Sequence, residues 1–230
     1  PLRHGAWQGH GLETVMNDST DGPVYADRSA AAAVLVRELE DYRGRPEKVV
    51  LGLLPGGMIV AREVARELGL PLDVAMVERL VVPGGDPQTF GAVGKDDVFV
   101  VLAEAVWRTG LSVEKMRLVT ERARERLLQR EDDYRSVLPV RALEGSIALV
   151  VDEGLATGAA MRAAVLSARA RGARKVVAAV PVASASSLPG ISEAADEVVC
   201  PAMPEPFHEV ARWYEELPPV TDQEVRALLR

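Results

Sequence analysis

The sequence has a single cysteine, Cys200, among 230 residues, so no intrachain disulfide can staple it. Cys200 ends the apolar run in EVVCPA and reads as a small buried hydrophobe. A nucleophilic role would need a histidine beside it, and His208 stands in an unrelated proline-rich stretch. Positive charge is also scarce: 27 Lys and Arg face 34 Asp and Glu, for a net charge of −7. That balance argues against a nucleic-acid surface, which needs clustered cations, and against an anionic membrane surface. An anionic substrate stays open, because a few local donors outweigh the global sign. No apolar run approaches the roughly 20 residues of a membrane span. The N-terminus lacks the basic-then-apolar pattern of a signal peptide, so the expected location is the cytoplasm. No internal repeat and no low-complexity linker divides the chain.

What is present is α/β grammar. Residues 1–24, with His4 and His10, have no apolar periodicity and read as a loose leader; 25–230 read as one domain. DRSAAAAVLVRELEDY predicts a helix with Leu35 and Leu39 on one face, and KVVLGLL a buried strand that stops at PGG. MIVAREVARELG predicts a helix burying Val60, Val64 and Leu68 and ending at Gly69, and PLDVAMV the next strand. The Gly/Pro-rich stretch Val81–Asp97 and the charged helix SVEKMRLVTERARERLLQREDDY, capped by Ser112, predict an inserted flap and helix over residues 81–136. The arginines of that helix alternate with glutamates and predict a solvated face; Trp107 is expected in the flap core. Strand and helix then alternate again: SIALVVD, AAMRAAVLSARARG, RKVVAAVPVA and DEVVCPA, before a last helix capped by Thr221 or Asp222. FHEVARWYEEL, with Phe207, Trp213 and Tyr214, reads as an edge or dimer-packing patch. The expected fold is α/β, a central mainly parallel sheet flanked by helices with an inserted flap and helical subdomain.

The chemistry concentrates in ALVVDEGLATGAAM, Ala148–Met161. Its first half looks like the acid-ended strand of an ATPase, but no G-K-S or G-K-T loop exists anywhere in the chain. A dinucleotide site would place its acid well after the glycines, and here both acids precede them. What remains is a strand ending in Asp152 and Glu153, a turn of small residues, and a helix N-terminus. Free N–H groups from about Ala156 to Ala160, with the Thr157 hydroxyl, would hold an anion. Carboxylates one sugar's length away suit a ribose diol, so the stretch suits a ribose 5-phosphate. Acids before a glycine turn also occur as ordinary loop chemistry with no ligand.

ALVVDEGLATGAA resembles the signature of type I phosphoribosyltransferases, and more narrowly the bacterial members whose substrates are undefined. YADR, GLLPGGMIVAREVARELGLPLDV, FGAVG, EVVCPAMPEPF and WYEEL follow in the expected order, from Tyr25 onward. The resemblance implies transfer of a 5-phosphoribosyl group from magnesium 5-phosphoribosyl-1-pyrophosphate to a small acceptor, a base or other nitrogen nucleophile. By that likeness Asp152 and Glu153 hold the ribose hydroxyls, and Gly154, Leu155, Ala156, Thr157, Gly158, Ala159 and Ala160 take the 5-phosphate. Leu54, Pro55, Gly56, Gly57 and Arg79 meet the pyrophosphate, with no direct protein site for Mg2+, which the substrate carries. It also implies a homodimer. The chain departs from the family pattern in Glu153 for a second aspartate, in Ala156 and Ala160 for hydroxyl residues, in Pro55 for the arginine of a P-R-G-G turn, and in Glu78-Arg79 for an Arg-Lys pair. Arg79, Lys95 and Arg28 are the candidates to compensate. The depleted pyrophosphate side keeps a second reading open: a binding or regulatory protein of the same fold that senses the sugar diphosphate or a nucleotide.

Overall fold

A computed structural model describes residues 22–84 and 88–230; most of the expected leader, with His4 and His10, lies outside the described residues. The chain runs α1 (Arg28–Glu38), β1 (Lys48–Leu53), α2 (Gly56–Leu68), β2 (Leu72–Ala75), β3 (Val77–Val81), β4 (Thr89–Gly94) and β5 (Phe99–Val101). It continues through α3 (Ala103–Thr109), α4 (Val113–Arg135), β6 (Ile147–Val151), α5 (Ala159–Ala170), β7 (Lys175–Ala179), α6 (Leu188–Ser192), β8 (Glu197–Val199) and α7 (Asp222–Leu228).

The helices begin and end where local chemistry directs. Asp27 caps α1 by accepting from the Ala30 N–H, and Ser112 caps α4 by accepting from Lys115. Thr221 and Glu224 form a reciprocal capping box on α7. Gly69 ends α2 in the left-handed conformation, at φ 65°.

Five parallel strands form one sheet in the order β2-β1-β6-β7-β8. Its central strands are buried on both faces, which is why they read as continuous apolar runs. Val50, Leu149, Val151 and Val177 pack against Leu35 of α1, Leu39 just after it, and Val60, Val64 and Leu68 of α2. Val49, Leu51, Val150 and Val176 point the other way, onto Met161, Val165 and Ala168 of α5. The alternation of the pleat thus separates two cores.

PLDVAMV is not one strand. It breaks at Met76 into β2 of the parallel sheet and β3 of a separate antiparallel sheet, β3-β4-β5. Ala92 and Val100 of that second sheet cover the far side of α5, and α4 packs along β3. The segment expected as a flap therefore departs from the sheet at Val77 rather than Val81.

Three other expectations need correction. Trp107 is 85% exposed, because α3 is short and turns only Ala105 and Val106 inward. Trp213 and Tyr214 are not an edge or dimer patch; they are buried inside the chain against Tyr25, Ala31 and Val182. The arginine-rich α4 is not simply solvated: Arg126 and Arg130 pair with Glu78, Arg130 with Asp222, and Arg135 with Asp73. Cys200 packs as expected, buried, with its thiol pushed up to about 12 by loss of water. Among the described residues no helix is long and apolar enough to cross a membrane.

Candidate active site

In an open parallel sheet, ligands bind where neighbouring strands send their connections to opposite faces. Here that point lies between β1 and β6: the chain leaves β1 into α2 on one face and leaves β6 into α5 on the other. The turn Leu54–Gly57 and the loop Asp152–Gly158 flank the crevice at the strands' carboxyl ends.

The two segments are in contact through atoms that are absent. A Cβ on Gly56 would collide with the Glu153 carboxylate, and one on Gly57 would meet Asp152 Oδ1 and lie 2.8 Å from the Asp152 Cα. Side-chain-free residues in the first turn are what let the acid pair lie on the start of the neighbouring helix. Asp152 Oδ1 accepts from the Glu153 N–H at 2.8 Å. Arg28 Nε donates to Glu153 Oε2 at 2.7 Å while its Nη1 donates to the Pro218 carbonyl. The Tyr214 hydroxyl donates to the Glu153 carbonyl at 2.6 Å. Glu153 is therefore held from behind by residues near both ends of the described chain.

Loss of water, and then the neighbouring Glu153 charge, push the Asp152 carboxyl up to about 7. A protonated Asp152 is a poorer acceptor for a sugar hydroxyl. Affinity for ribose 5-phosphate is therefore expected to rise with pH through about 7, and Asp152→Asn to remove the Asp152 part of that rise, measured by titration calorimetry across pH. A variant that titrates like the wild type would remove Asp152 from the site. Stability takes the opposite sign: folding favours the protonated carboxyl, so this contribution is lost as pH climbs from the ordinary carboxylate range to about 7.

The loop is suited to an anion. Ala156 and Thr157 are exposed, Gly158 opens α5 in the left-handed conformation at φ 72°, and the first N–H groups of α5 have no partner within the helix. Leu155 stands apart from its neighbours. It is buried, and its N–H donates to the Val182 carbonyl at 2.9 Å, so it anchors the loop to the segment after β7.

A cleft of about 1080 Å³ joins these parts. Leu54, Pro55 and Gly56 line it, together with the whole of Asp152–Met161; Gly57 does not, being packed beneath Asp152. Of the three candidate cations, Arg79 lines the cleft, Arg28 is committed to Glu153, and Lys95 is bonded to Glu131 on α4. The sequence reading missed Arg122, Arg126 and Arg130, which α4 presents to the cleft. Their i, i+4, i+8 spacing on one helical face is the signal that could have found them. Among the described residues no cluster of three or more His, Cys, Asp or Glu could hold a metal.

The phosphoribosyl transferase domain model matches residues 26–215. The chain belongs to that family. Two relatives from Mycobacterium tuberculosis, strains CDC 1551 and H37Rv, are named provisionally as phosphoribosyl transferases with no substrate specified. Each is 40% identical over 206 residues, covering 90% of this chain and 46% of the relative. The chain thus spans about half the length of these curated relatives. The crystal structure of TT1426 from Thermus thermophilus is similar with a TM-score of 0.72 and 38% identity, covering 89% of this chain and 97% of that one. This phosphoribosyl transferase domain shares its architecture with TT1426 over nearly its whole described length.

Proposed function

We propose that this phosphoribosyl transferase domain transfers a 5-phosphoribosyl group from 5-phosphoribosyl-1-pyrophosphate to a small nitrogen nucleophile. The observation that carries this reading is the contact of Asp152 and Glu153 with Gly56 and Gly57, in a cleft also lined by the start of α5. The loop Ala156–Ala160 takes the 5-phosphate. Asp152 and Glu153 accept from the ribose hydroxyls and favour the positive charge that develops on the sugar as the leaving group departs. The C1–O bond to pyrophosphate breaks, its electron pair leaving with the pyrophosphate oxygen, and a C1–N bond forms to the acceptor, whose proton passes to solvent. Mg2+ would arrive with the substrate, carried by its pyrophosphate oxygens rather than by a site of the protein. When bound with the substrate, the ion would neutralise charge on the pyrophosphate.

A second reading, binding of the sugar diphosphate or a nucleotide without efficient transfer, is favoured by two features. Glu153 is already paired with Arg28, and the turn at Pro55 carries no arginine. One titration tests both. Magnesium 5-phosphoribosyl-1-pyrophosphate is expected to bind the wild type, and Asp152→Asn/Glu153→Gln to weaken it by about 100-fold, two charged acceptors made neutral at roughly tenfold each. No binding to the wild type would sink both readings. Binding without pyrophosphate release across a panel of bases and amines would select the second.

A further inference from the structure

The arginines that α4 turns toward the cleft differ in how far they are already engaged. Arg130 is fully committed: Nη1 donates to Glu78 Oε2 and Nη2 to Asp222 Oδ1, at 2.9 and 2.8 Å. One turn earlier, Arg126 is braced through Nε alone, which donates to Glu78 Oε1 at 2.8 Å, leaving its terminal amines without a partner among the described residues. Another turn earlier, Arg122 makes no ion pair or side-chain hydrogen bond among the described residues, and neither does Arg79 on β3. Glu78 is thus saturated by two arginines, and Glu153 is answered by Arg28. Arg122, Arg79 and the outer face of Arg126 therefore pair with no carboxylate among the described residues, although Asp152 and Glu209 line the same cleft. A protein of net negative charge thus presents guanidinium groups without ion-pair partners among the described residues to the cleft that holds its acid pair.

We infer that Arg122 and Arg126, with Arg79, form an oxyanion subsite for a group carrying two or more negative charges, and that its occupant is the pyrophosphate end of the donor. Planar guanidinium forks match phosphate oxygens geometrically. Arg126 is the best prepared, since its carboxylate brace fixes the stem and orients the free fork. The same cleft is lined by Leu54, Pro55 and Gly56, a turn that offers no side-chain cation and whose Pro55 lacks an N–H. The cation that the turn lacks is supplied from α4. The existence of an oxyanion subsite stands on the cleft alone; its assignment to the donor rests on the proposed transfer.

The test uses the whole chain, with Arg122→Ala, Arg126→Ala and the double variant, titrated in Mg2+ with inorganic pyrophosphate, ribose 5-phosphate and 5-phosphoribosyl-1-pyrophosphate. Each substitution is expected to weaken pyrophosphate and the donor by about tenfold, with ribose 5-phosphate unchanged within about twofold. Arg122 is exposed and makes no ion pair among the described residues, so Arg122→Ala is also expected to keep the wild-type melting temperature. Ribose 5-phosphate binding with no pyrophosphate binding, or equal weakening of both, would overturn the subsite while leaving the proposed function standing. Weakened pyrophosphate with an unchanged donor would overturn the donor assignment and give the subsite to a phosphorylated acceptor. A wild type that binds none of the three would overturn the proposed function as well.

Discussion

Gly57→Ala is expected to abolish ribose 5-phosphate binding and to lower stability by roughly 2 kcal/mol, although the residue does not itself line the cleft. The added Cβ would lie 2.8 Å from the Asp152 Cα, and backbone cannot swing aside as a side-chain tip can. Relief requires the end of β6 to separate from the start of α2, which displaces both acids from the loop proposed to take the phosphate. Denaturation and titration should therefore fail together. Gly69→Ala supplies the contrast. Its Cβ meets nothing within 4 Å, but its φ is +65°, so strain alone is expected to cost about 1 kcal/mol and to leave binding intact. Full affinity in Gly57→Ala would show that the acid pair does not depend on the close approach of the two strand ends.

Asp73→Ala is expected to cost roughly 3–5 kcal/mol, a large part of a typical domain's stability. Asp73 is completely buried on β2. Its Oδ1 accepts from Arg135 at 2.5 Å and from the Val74 N–H, and its Oδ2 from Arg171 at 3.3 Å and the Arg141 N–H. One carboxylate thus ties the end of α4, the end of α5 and the segment before β6 to the sheet edge. Removing it leaves two partly buried guanidinium groups without their anion, which costs more than losing either bond alone. Urea denaturation measures this directly. A loss below about 1 kcal/mol would mean that Arg135 and Arg171 reach water as readily as Asp73 holds them.

The parallel half of the fold is legible in the sequence because its residues report a local period. Val60, Val64 and Leu68 mark one face of α2, and the unbroken apolar runs of β1 and β6 mark strands covered on both sides. The acid pair and the loop proposed to take the phosphate stand out because strand, acids, glycine turn and helix are contiguous in the chain. The division of PLDVAMV is not, since apolar residues continue through Met76 and only tertiary pairing separates the two sheets. The arginine row on α4 is hidden by its glutamates: an alternating-charge helix looks the same in sequence whether water or a cleft faces it. Gly57 sits inside the motif, but its role as the floor beneath Asp152 depends on a neighbour far along the chain. Trp107 misleads because a large apolar residue in a short helix is expected to face inward, and α3 turns it out.

The pairing of β1 with β6 sets when the site can exist during synthesis. Lys48 aligns with Ile147, and everything between them, including both strands of the β3–β4 hairpin and the whole of α4, must leave the ribosome first. Until then the turn at Gly56–Gly57 has nothing above it, and the hydrophobic edge of β1 is unpaired on that side. Such long-range closure is slow relative to local helix formation and leaves an aggregation-prone strand exposed while it waits. The acid pair and the glycine turn beneath it thus meet only after some ninety intervening residues have emerged, and the nascent chain has to stay soluble until then.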